Sequence, residues 1–224
     1  MKKMTREDNF IYLTCALVLL LLGTALAQQF FTDYIQRLVQ SATIVTLLVA
    51  VWGVDSQDYV LRRTFIFPLA ILIFSFIGAW LDNSGFDKLY LILLLNFFIS
   101  SALRTAKQVL FTGDIDGNKI LGAICLYVLM GLIWAVLFTL LQLTFPNAFN
   151  SVTNTDQWFV LFPNFIYFSF VTITTLGFGD ISPTLPLAKF LVYMEAIVGQ
   201  FYLAILVASL VGSHASTLKK KRSN

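Results

Sequence analysis

Thr174-Thr175-Leu176-Gly177-Phe178-Gly179-Asp180 lies between a short aromatic, apolar segment and a long apolar one near the end of a 224-residue chain. Two glycines alternate here with Leu176 and Phe178. A residue without Cβ takes positive φ at little steric cost, so Gly177 and Gly179 allow successive carbonyls to point at one axis. In a soluble chain the same string would read as a Gly-Asp turn between two elements. What flanks it therefore decides the fold.

The surroundings are those of an integral membrane protein. With 58% hydrophobic residues, 12% charged residues and a mean hydropathy of +0.81, the chain does not have the composition of a soluble domain. Hydropathy predicts six spans, over 10–27, 38–54, 65–81, 89–103, 120–145 and 187–211. A helix needs about 20 residues to cross the hydrocarbon core, so the second, third and fourth are marginal unless flanking polar residues snorkel. Arg62, Arg63, Arg104 and Lys107 are placed to do so.

With both termini cytoplasmic, 12 of the 15 basic residues fall inside, leaving Arg37, Lys88 and Lys189 outside. The positive-inside rule supports that orientation. A cleaved signal peptide ending at Ala25-Leu26-Ala27 is the rival reading of the first span, and it would leave the rest of the topology unchanged. Cys15 and Cys125 both fall in apolar runs and read as small buried hydrophobes.

Between the fifth and sixth spans, residues 163–174 form an apolar segment that starts with Pro163, a residue suited to a helix's first turn. Twelve helical residues reach only about 18 Å. Such a segment must dip into the membrane and return, which is tolerated where the non-helical backbone that follows is covered by protein or lines a wet cavity. If several copies surround an axis, each half-helix aims its negative C-terminal end at that axis.

In this setting the stretch resembles the T-x-G-[YF]-G-D signature of the potassium channel superfamily, and the resemblance extends over 120–212. It implies an all-α membrane protein of six transmembrane helices plus a re-entrant pore helix and selectivity filter, assembled as a fourfold homotetramer, because each chain has one such motif. Carbonyls of Thr175, Leu176, Gly177 and Phe178 would replace the hydration shell of K+, with the Thr175 hydroxyl adding an oxygen at the innermost site. Thr174 would brace the pore helix, Gly179 would keep the backbone permissive, and Asp180 would sit at the outer mouth, hydrogen-bonded behind the filter. Phe178 stands where many members carry tyrosine, which removes a donor to an aromatic cuff that Tyr167 and Phe168 would form.

The implied organisation is a four-span N-terminal membrane domain (1–111) in the position of a voltage sensor, a cytoplasmic linker (112–119), a pore domain (120–212) and a basic cytoplasmic tail (213–224). Arg104 and Lys107 alone do not make a sensor helix and read as snorkelling anchors. Residues 112–118 lack the bidentate glutamate of a calcium loop and read as a solvated turn. Lys219, Lys220, Lys221 and Arg222 are suited to anionic lipid headgroups or to anchoring the last helix. His214 is a lone histidine beside that tail.

Glu195 is the one acid well inside a predicted span. An intramembrane ionisable residue is a functional hypothesis by default. It is expected either to hydrogen-bond to the back of the pore helix or filter, protonation being compatible with this, or to reach outer water. Gly199, midway along the last span, suits a gating hinge or close helix packing.

The expected partners are three identical subunits and membrane lipids, with permeant K+ and no cofactor. Localisation would be an integral plasma membrane, and the lack of N-x-[ST] acceptors in the outer loops agrees with a bacterial inner membrane. A poorly selective monovalent cation channel is the nearest alternative. A coupled transporter would show an inverted repeat with paired broken helices, and an enzyme would show a catalytic or metal-ligand cluster. No basic fold points to nucleic acid.

Overall fold

The computed structural model describes residues 9–30, 35–36, 84–111, 117–153, 155 and 157–223. Five helices and one short ladder follow in order: α1 (Asn9–Phe30), α2 (Ser84–Phe111), α3 (Gly117–Thr144), β1 (Phe149–Asn150), α4 (Trp158–Ile173), β2 (Ser182–Pro183) and α5 (Pro186–Ser223). Among the described residues the regular structure is helical apart from the ladder. Four apolar stretches, Phe10–Phe30, Gly85–Val109, Lys119–Thr144 and Pro186–Ser209, are long enough to cross a membrane. This is the make-up of an all-α membrane protein. The expected spans over 38–54 and 65–81 lie outside the described residues.

The span expected at 89–103 is a much longer helix, Ser84–Phe111. Apolar residues mark only the middle of it, because backbone amides keep their helical partners beyond the hydrocarbon edge. Near its C-terminal end Arg104 Nε donates to the Ser100 carbonyl at 3.2 Å, a contact within one helical turn.

Helix α3 is apolar all round, as expected of a helix with protein on several sides. Helices α1, α2, α4 and α5 all pack on it. Close approach is possible where side chains vanish. A Cβ on Gly122 would lie 2.7 Å from Val109 and 3.1 Å from Phe10, and one on Gly131 would lie 2.8 Å from the Phe170 ring.

The short helix α4 begins at Trp158, so Pro163 is its sixth residue and not part of its first turn. Burial explains the extension, since Trp158, Phe159, Leu161 and Phe162 all turn inward. Pro163 has no N–H to give to the carbonyl four residues back, that of Phe159. Gln36 Nε2 donates to this oxygen at 3.1 Å, which offsets the missing bond.

An aromatic cluster seats α4 against α3. Phe138 meets Phe149 at 5.4 Å and Phe168 at 5.3 Å between centroids, and Phe149 meets Phe165 at 4.9 Å, all edge-on. Such pairs contribute about 0.5–1.5 kcal/mol each beyond area burial. The ladder pairs Phe149 with Pro183 and Asn150 with Ser182, antiparallel. Gln142 Oε1 accepts from the Phe149 amide at 3.1 Å, and the Thr184 amide donates to the Ala148 carbonyl at 2.9 Å. Entry to and exit from the α4 excursion are therefore tied together on the same side of the fold.

Candidate functional site

The last four carbonyls of a helix have no partner within it, and in α4 each one is satisfied. Phe170 O accepts from the Thr174 amide at 3.2 Å and from the Thr174 hydroxyl at 2.5 Å. Val171 O accepts from Leu176 and Gly177, at 3.0 and 3.3 Å, and Thr172 O from Thr175 at 2.9 Å. Ile173 O accepts the hydroxyl of Tyr127, from α3, at 3.0 Å.

The pair Leu176 N to Val171 O and Thr175 N to Thr172 O forms a Schellman cap. That motif asks for a left-handed residue at the position held by Thr175, normally glycine. Thr175 has φ +61°. A β-branched residue in that region is a genuine outlier, costing on the order of 1–3 kcal/mol, and such strain clusters at functional sites.

Positive φ then recurs at every second residue, with Gly177 at +58° and Gly179 at +78°. The amides of 174–177 all turn back to the helix. Among the described residues, no backbone amide donates to the carbonyls of Thr175, Leu176, Gly177 or Phe178. The segment thus presents a run of acceptors beyond a helix C-terminus, where the macrodipole is negative. Main-chain oxygens so arranged can accept hydrogen bonds or coordinate a cation.

Residues 174–180 are exposed, and a Cβ on Gly177 or Gly179 would meet nothing within 4 Å. Tyr167, also exposed, donates its hydroxyl to the Asp180 carboxylate, which holds the phenol above its ordinary range. Phe168 lies elsewhere. Its ring contacts are with Phe138, Phe149 and Phe165, because adjacent helical residues point about 100° apart and this one faces α3.

Gly199 and Glu195 on α5 both reach the short helix. Gly199 sits against its end, where an added Cβ would stand 2.5 Å from Ile173 Cγ1 and 2.8 Å from Ile173 O. The backbones pack closely at this glycine, and α5 runs on as one helix beyond it. Glu195 is fully buried, with Oε1 2.5 Å from Ser169 Oγ on α4. The same Oγ lies 2.7 Å from the Gly131 carbonyl on α3.

Sequence reasoning singled out Glu195 and Gly199 but not Tyr127, Ser169, Gly131 or Gln36. Tyr127 and Ser169 had a usable signal, being polar groups within apolar helices. The side chains of His214 and of the basic tail lie outside what is described, as does most of the 112–118 linker.

Residues 122–213 match a family model described as an ion channel. The match takes in most of α3, all of α4, the 174–180 segment and α5 to within its last turns. No curated protein and no solved structure matches the chain.

Proposed function

We propose that this protein is a potassium-selective channel in which four copies of the 175–178 carbonyl run surround one axis and conduct K+ passively down its gradient. The observation that carries this reading is the alternation of positive φ at Thr175, Gly177 and Gly179 together with carbonyls that no backbone amide occupies. A dehydrated cation needs several oxygens, and one chain offers one column, so the site is complete only with further copies of this chain.

The last helix supports the same conclusion. Only 11% of its apolar window is buried, against 39–50% for the other three. Phe190, Tyr193, Ile197 and Phe201 lie on the uncovered part. Identical subunits in a closed ring would cover it, and four satisfy the fourfold coordination of the filter. In this reading the chain crosses the membrane six times with both ends cytoplasmic, in a bacterial inner membrane. Its 1–111 region serves as a scaffold in the position of a sensor, and its basic tail meets anionic lipid.

A weakly selective cation channel of the same architecture is the second reading. Phe178 brings no hydroxyl to brace the segment, and its side chain is 65% exposed. Bi-ionic recording from purified protein in planar bilayers separates the two. A reversal potential near that of K+ in opposed potassium and sodium solutions supports selectivity, and one near zero supports the second reading. Absence of current from protein shown by mass to be tetrameric would refute both.

A further inference from the structure

We infer that Glu195 carries its proton and donates it to Ser169, closing a Glu195–Ser169–Gly131 latch that ties α5 to α4 and α3. The argument is a count of hydrogens. Ser169 Oγ has two short polar contacts, 2.7 Å to the Gly131 carbonyl and 2.5 Å to Glu195 Oε1. A carbonyl oxygen only accepts, so the contact with Gly131 uses the single hydroxyl hydrogen of serine. The contact with Glu195 then needs a hydrogen from the other side. Only the protonated carboxyl can supply it. With an ionised Glu195, one of the two pairs would be two oxygens facing each other with no hydrogen between them.

The surroundings agree with a neutral acid. Glu195 is 0% exposed, and its second oxygen, Oε2, has no hydrogen-bond partner. A buried carboxylate left without a counter-ion or donors is costly, whereas a neutral acid leaves only an under-used carbonyl oxygen. Tyr127 is the titratable group that faces it from α3, and its hydroxyl hydrogen goes to the Ile173 carbonyl. Tyr202, further along α5, gives its own to the Ala123 carbonyl at 2.7 Å. No Lys, Arg or His among the described residues is paired with the carboxyl.

The latch has a definite mechanical position. Ser169 lies one turn before the end of α4, and Glu195 lies one turn before Gly199, where α5 touches Ile173. Two contacts one turn apart fix both the spacing and the rotation of α5 relative to the helix that carries the 174–180 segment. Glu195 is thus a positioning residue. Its protonation is independent of the channel reading, and only its consequence for conduction rests on that reading.

Infrared difference spectroscopy on the full chain in lipid at neutral pH tests the assignment, comparing the native protein with Glu195→Gln. The expected result is one protonated-carboxyl C=O band that is lost in E195Q, and that persists in Ser169→Ala but shifts to higher frequency as its hydrogen bond is removed. Loss of a carboxylate band in E195Q, or an S169A band that does not move, overturns the proposal. Thermal melting gives an independent arm. E195Q can still donate from its amide and is expected to melt closer to the native protein than Glu195→Ala does, and equal losses in the two variants would count against the latch. The infrared reading is made whether or not the protein conducts, so a silent bilayer with the band present would reject the channel and keep the latch.

Discussion

Replacing Gly199 by alanine places a methyl group 2.5 Å from Ile173 Cγ1 and 2.8 Å from Ile173 O. Carbon atoms settle at about 3.5–4.0 Å, so the first contact is short by roughly 1 Å. The side chain of Ile173 could turn, although it is fully buried. Its carbonyl cannot, because the helix end and the Tyr127 hydroxyl hold it. Helix α5 must therefore move away from α4, and overpacking of this kind costs about 1–3 kcal/mol. At an open helical position the same change would stabilise by about 1 kcal/mol. The two effects oppose each other, and the steric one is expected to win, with a net destabilisation of up to about 2 kcal/mol. Thermal unfolding in lipid nanodiscs reads the sign directly. The double variant Ile173→Ala/Gly199→Ala should cost less than the sum of the two single changes, since Ile173→Ala removes the clash with Cγ1 and keeps the one with the carbonyl. A single G199A variant that melts higher than the native protein would refute the close-packing argument and leave backbone flexibility as the reason for glycine.

Two further outcomes follow from the helix ends. Gln36→Ala should cost about 1 kcal/mol by removing the hydrogen bond from Gln36 to the Phe159 carbonyl, and the cost should shrink in a Pro163→Ala background, where a restored amide can donate to it, as measured by a double-mutant cycle of melting. Thr175→Gly relieves a left-handed β-branched residue, worth about 1–2 kcal/mol, against about 0.5–1 kcal/mol of added backbone entropy. It should therefore melt at or above the native temperature without K+, yet gain less from added K+, because the hydroxyl proposed for the innermost site is gone. A T175G protein that melts well below the native one would show that the threonine is not strained.

Much of the site could be read in advance because its signals are local. The glycine alternation at 177 and 179 is a backbone requirement written in two letters one residue apart, and it reappears as φ of +58° and +78°. The left-handed Thr175 is different. Nothing in its side chain asks for that conformation, which comes from the cap it completes on α4. Pro163 was misplaced for a related reason. Proline reads as a helix start when its missing amide is the only consideration, but four buried residues before it and a glutamine 127 positions earlier made an interior proline acceptable.

Composition and hydropathy by themselves determined that this chain belongs in a membrane, and the 174–180 string determined where its backbone oxygens would gather. These properties depend on neighbouring residues and survive any arrangement of the helices. Tertiary structure decided the rest. Only packing brings Glu195 to Ser169, Gly199 to Ile173 and Gln36 to Phe159. Each pairing depends on the rotation and spacing of two separate helices, and helical periodicity places a residue on a face without saying which partner that face will meet.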